Sequence, residues 1–113
     1  MKQIPLEILK DKAMFYQYAG QDNYGVPTYN DEVELKNIYI EPVTSAFVQS
    51  LGEGERYELT LYYDAVNSKP SVRFTNLDKI IYNGKEYGVR MVADYFNPYD
   101  SRLHHSEVRL YGN

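Results

Sequence analysis

Apolar and polar residues alternate along most of this chain with the period of a β-strand. The clearest case runs from Tyr57 to Asp64: Tyr57, Leu59, Leu61 and Tyr63 fall on one side, and Glu58, Thr60, Tyr62 and Asp64 on the other. A period of two places alternate side chains on opposite faces, so this segment predicts a strand with one buried face. Asp11 to Tyr18 is rich in aromatics and predicts another strand. It ends in a run from Gly20 to Pro27 whose Gly, Pro, Asp and Asn residues predict a loop. Val33 to Pro42, anchored by Leu35, Ile38 and Ile40, predicts a further strand that Pro42 should end or place at an edge.

Asn83-Gly84 lies between two apolar-rich runs, Lys79 to Tyr82 and Lys85 to Val92. Both turn residues tolerate positive φ, which predicts a tight hairpin with Tyr87, Val89 and Met91 on one face. Val92 to Phe96 extends the return strand, Asn97-Pro98-Tyr99-Asp100 makes a turn, and Leu103 to Tyr111 forms the last strand with Val108 and Leu110 inward. Helical pattern is confined to short stretches at 2–10 and 45–51. The expected fold is all-β: a small single-domain barrel or sandwich of about five or six antiparallel strands, with at most a short helical turn.

One connection is unusual. Residues 43–56 are long for a hairpin link, and the second half, Gly52-Glu53-Gly54-Glu55, is acidic and glycine-rich. The first half carries Phe47, Val48 and Leu51, apolar residues that a purely solvated loop does not need. Phe47, Leu51, Glu53 and Glu55 are therefore candidates for a loop that docks on a partner or faces a channel. The Asp64 to Pro70 stretch predicts a tight turn, because Asp64, Asn67 and Ser68 bond readily to nearby backbone.

Length and composition narrow the functions. At 113 residues the chain fits one domain, 1–113, which buries roughly two-thirds of its unfolded surface. It contains no Cys, so disulfides and thiolate metal sites are excluded. Its formal charge of −4 argues against a strong grip on nucleic acid, whose binders carry a basic footprint. No apolar run approaches a membrane span, and the first residues lack the apolar core of a signal peptide, so the expectation is a chain made in a cytoplasm. The 13 Tyr suit half-buried strand surfaces and protein interfaces, and they leave open a carbohydrate-binding module.

Catalytic signatures are missing from the pattern. The serines lie in no nucleophile elbow, the glycines cradle no phosphate, and carboxylates are plentiful without any pair standing out. His104-His105 is the most tempting site, but neighbours in a strand point apart. His105 with Glu107 shares a face, yet lacks a third ligand. Asp22-Asn23 through Asp31-Glu32 does not match EF-hand spacing. No catalytic, cofactor or metal residue is assigned, and no cofactor is expected.

Several stretches fall into a familiar order: Ile4-Pro5; Tyr16-Gln17-Tyr18; Asp22-Asn23-Tyr24-Gly25 with Pro27-Thr28-Tyr29; and Leu35 to Pro42. Tyr63-Asp64-Ala65-Val66-Asn67-Ser68-Lys69-Pro70, Asp78 to Tyr87, and Leu103-His104-His105-Ser106-Glu107-Val108 follow. In that order the chain resembles the minor capsid proteins of tailed bacteriophages and prophages, which are grouped with head-closure and head–tail connector proteins. The resemblance implies a small barrel-like subunit with no catalytic residues. It implies a homo-oligomeric ring at the head–tail junction of a virion assembled in the bacterial cytoplasm. Portal or adaptor ring and tail proteins are the implied partners, with DNA passing nearby without specific binding and with no membrane contact. It marks Asp64, Asn67, Ser68 and Pro70 as a family-like turn. Tail completion in the same particle is the neighbouring role on a similar fold.

Overall fold

A computed structural model describes residues 3–43 and 57–112. Its strands are β1 (Asp11–Tyr16), β2 (Tyr18–Gln21), β3 (Pro27–Tyr29), β4 (Val33–Pro42), β5 (Leu59–Asp64), β6 (Lys79–Tyr82), β7 (Lys85–Phe96) and β8 (Leu103–Gly112). Six of them close into an antiparallel barrel in the order β1-β4-β5-β8-β7-β6, with β6 returning to β1. Closure removes the free sheet edges that otherwise invite uncontrolled pairing. β2 and β3 form a separate two-stranded sheet, so part of the expected Gly20–Pro27 loop is a hairpin rather than irregular chain.

The barrel is filled by the inward residues of the alternating strands. Leu35, Ile38, Leu61, Ile80, Val108 and Leu110 are completely buried. Phe74, from the connection between β5 and β6, closes one end by packing edge-on against Phe15 and Tyr63, at ring-centroid distances of 5.2 and 5.4 Å.

Two irregularities explain where simple alternation fails. Leu35 and Ile38 both face inward although they are three positions apart. Between them the register against β1 shifts, and Asn37 adopts a φ of 57°. This bulge absorbs the extra residue. On β7 a shift between Val89 and Met91 turns Met91 out to solvent and brings Val92 against the core, so the expected Tyr87–Val89–Met91 face breaks after Val89. The Asn83-Gly84 turn is as expected, with φ values of 52° and 77°. The short N-terminal helical pattern becomes a single turn, with the N–H groups of Ile8 and Leu9 donating to the Pro5 carbonyl.

Candidate functional site

Strand alternation would place Asp64 outside, yet it is completely buried. It ends β5, where the chain turns, and its carboxylate accepts from four nitrogen donors drawn from two segments. Within the turn, the N–H groups of Val66 and Asn67 donate at 3.0 and 2.8 Å. From the N-terminal segment, the Ile4 N–H donates at 2.9 Å and the Gln3 amide reaches both carboxylate oxygens at 3.0 Å. Burial acts to raise the Asp64 carboxyl, but the Gln3 amide and the N–H groups of Asn67, Ile4 and Val66 outweigh it and hold the group below its ordinary value.

The rest of the turn docks on the β4 bulge. Ser68 is buried, accepts from the Asp64 N–H at 2.8 Å and donates to the Asn37 carbonyl at 2.5 Å. Asn67 donates to the Ile4 carbonyl at 2.9 Å and accepts at its own carbonyl from the Asn37 amide at 3.1 Å. Lys36 and Lys69 exchange backbone hydrogen bonds of 2.7 and 3.0 Å. The Tyr63 hydroxyl donates to the Pro70 carbonyl, and the Lys69–Pro70 bond is cis. Asp64, Asn67, Ser68 and Pro70 thus come together as one clasp binding the N-terminal segment, the end of β5 and the β4 bulge. Its hydrogen bonds are used within the fold, so the arrangement holds structure and offers no free nucleophile or base.

The other sequence-singled group falls differently. The 43–56 connection joins β4 to β5, but Phe47, Leu51, Glu53 and Glu55 lie outside the described residues.

Sequence reasoning missed Asp78, which is almost fully buried. One carboxylate oxygen accepts from the Tyr18 N–H at 2.8 Å and the other from the Thr75 N–H at 2.6 Å, tying the start of β2 to the chain before β6. The signal was Thr75-Asn76-Leu77-Asp78, a polar residue at each end of a short turn.

On β8, His104 is buried and His105 half-buried, as strand alternation requires, yet their rings meet: the Nδ1 atoms are 2.7 Å apart. His105 Nε2 lies 3.0 Å from the Glu107 carboxylate, and Tyr95 stacks on His105 at 4.9 Å. Among the described residues no group of three His, Asp or Glu side chains is placed to hold a metal ion.

The outer surface is aromatic. Tyr39 and Tyr62 stack at 5.6 Å, while Lys79 sits over the rings of Tyr16 and Tyr29. Burial, then the Glu107 and Glu41 carboxylates, raise the Tyr62 hydroxyl above its ordinary value. Past the last β5–β8 pair, Asp64 with His105, β7 and β8 continue as an arm paired only to each other. The arm carries exposed Tyr95, Phe96, Tyr99 and Leu103. A hollow of about 430 Å³ lies beside it, lined by residues that include Arg73, Phe74, Val92 and Asp94. Among the described residues no helix is long and apolar enough to cross a membrane.

A closed barrel, an internally satisfied clasp and an arm with exposed aromatics define a small structural domain whose outward chemistry suits contact with other proteins. The chain belongs to the minor capsid protein family, which matches residues 5–110 and so nearly its whole length, and it is a structural phage protein. No curated protein matches it.

Proposed function

We propose that this chain is a head-closure or connector subunit, which forms a ring between the portal vertex and the tail and helps retain or pass DNA. Membership of a minor capsid family supports a role in the particle. The observation that carries the finer reading is the arm: Phe96 and Tyr99 are 57% and 89% exposed at its tip, on a domain whose own core is already complete. Large exposed aromatics of this kind mark contact surfaces.

A ring requires a heterologous interface, in which one surface of a subunit meets a different surface of the next. The arm supplies one such surface, and the Tyr39–Tyr62 face of the barrel supplies another. The acidic Glu53 and Glu55 would repel phosphates at close range, which suits a conduit that DNA passes without sticking.

The test is genetic. In a phage lacking this chain, heads fill with DNA but lose it or stay tailless, and supplying the chain restores joined particles. Normal joined particles in its absence contradict the reading. Tailless heads that keep their DNA, together with unattached tails lacking a finished end, would transfer the chain to tail completion.

A further inference from the structure

The turn that tops the arm is a pre-formed knob. The Ser101 N–H donates to the Asn97 carbonyl at 2.9 Å, and the Asn97 N–H donates to the Arg102 carbonyl at 2.7 Å. The Tyr99 N–H donates to the Asn97 side-chain oxygen and the Arg102 N–H to the Asp100 carboxylate, each at 3.0 Å. These bonds fix the backbone of the tip, while Tyr99 is 89% exposed and so rests little of its ring on its own subunit. An aromatic side chain presented on an ordered turn loses little freedom when it binds.

The hollow beside the same arm is a seat of matching character. Val72, Phe74, Val92 and Leu103 supply apolar wall, and Arg73 and Asp94 supply one charge of each sign. Its volume of about 430 Å³ falls in the range of pockets that enclose small ligands, roughly 300–1,000 Å³, and gives room for an aromatic side chain. Arg73 is exposed and, among the described residues, enters no ion pair. The Ser106 hydroxyl donates to one oxygen of Asp94 at 2.6 Å and holds that carboxylate in the wall. The knob carries the complementary charges, Asp100 beside Tyr99 and Arg102 two positions further, both exposed. The Tyr39–Tyr62 face can still abut a neighbour, but its rings are stacked on each other, so the concave seat is the hollow.

We propose that the hollow receives the arm tip of a second copy of this chain, with Tyr99 seated among the apolar residues, Asp100 against Arg73 and Arg102 against Asp94. Tip and hollow are different surfaces, so the contact is head-to-tail, and repeating it with a closing rotation gives a ring. The inserted aromatic supplies affinity, and the charge pairs around it set the register and exclude wrong partners. The ring rests on the connector reading but the contact does not, so the test is made on the free chain, without the portal.

Sedimentation velocity is measured over a series of concentrations for the wild-type chain, Arg73→Glu, Asp100→Arg, and an equal mixture of the two variants. Both residues are exposed, so both variants keep the barrel. Each variant alone sets like charges against each other and is expected to associate about tenfold more weakly than the wild-type chain. In the mixture, the altered hollow of one variant meets the altered tip of the other, and the unchanged tip of the first meets the unchanged hollow of the second. Association is expected to return to within about twofold of wild type. A wild-type chain that stays monomeric throughout, or variants that associate as it does, overturns the proposal and leaves the hollow to a segment of another protein. Weakening without recovery in the mixture overturns it too, because one damaged fold is not repaired by another. Self-association with this recovery, beside a portal that stays bare, would support the contact and fail the connector reading alone.

Discussion

Gln3 and Asp64 stand 61 positions apart, yet the Gln3 amide reaches both oxygens of the Asp64 carboxylate at 3.0 Å. The barrel thereby fastens its own N-terminal segment with a buried charge whose lone pairs are filled from the backbone of both segments. Removing one partner of such a network leaves the others buried and unpaired, which costs far more than the net worth of a hydrogen bond.

Asp64→Ala is expected to lower unfolding stability by about 3 kcal/mol, and Gln3→Ala by about 1 kcal/mol, because Gln3 is one donor among several. Urea denaturation of the two variants beside the wild-type chain measures both. Equal, negligible losses would show that the clasp does not hold the fold.

Acid should act through the same group. The Asp64 carboxyl is lowered in the fold from its ordinary 3.8, so the folded chain holds the ionised form more strongly than the unfolded chain does. Its contribution is complete above the unfolded value and is lost as pH falls through the lowered folded value. The stability difference between the wild-type chain and Asp64→Asn should therefore shrink as pH falls below about 4. A difference that stays constant between neutral pH and that range would contradict this.

Alkali should act through Tyr62 and Tyr63, both raised, Tyr62 by burial and then by Glu107 and Glu41, Tyr63 by burial. The neutral phenols are favoured in the fold, so their contribution is present below the unfolded value of 10.0 and is lost as pH rises through the raised folded values. Ultraviolet titration of folded Tyr62→Phe and Tyr63→Phe should each remove a late-ionising tyrosine. Removal of an early one instead would be the contrary result.

Packing gives two further expectations. Phe74 stops the barrel end, and Phe74→Ala should cost about 3–4 kcal/mol. Gly88 lies under Tyr111, whose ring an added Cβ would meet at 2.6 Å. Tyr111 in turn lies under the Arg90 guanidinium, 4.1 Å from its ring centre. Gly88→Ala should cost about 1–3 kcal/mol, recovered in part by Tyr111→Ala in the same chain. Thermal unfolding of the single and double variants tests both, and a double variant no more stable than Gly88→Ala would show that the ring is not the obstacle.

Most of the barrel was legible because its strands obey a period of two and its tightest hairpin is marked by Asn83-Gly84. The departures came from tertiary demands that no local pattern carries. Leu35 and Ile38 read as inward anchors, but their spacing hid a bulge that exists to dock the Asp64 turn. Met91 read as sharing a face with Tyr87 and Val89, and the shift beside Val89 separates it from them. Asp64 read as an outward acid because its donors lie in the N-terminal segment, far away in sequence, and the turn to which it belongs was recognised without that partner. Asp78 went unnoticed for the same reason, since half of its role is to hold Tyr18.

The most direct test of the connector reading is electron microscopy of the chain mixed with the portal ring from the same genome, with Tyr99→Ser and Phe96→Ser in the arm as a comparison. The reading expects a ring of this chain stacked on the tail-facing end of the portal, and at least about a tenfold weaker association for the double variant. A portal that stays bare at concentrations where its other partners bind, or a ring indifferent to the arm substitutions, would contradict it.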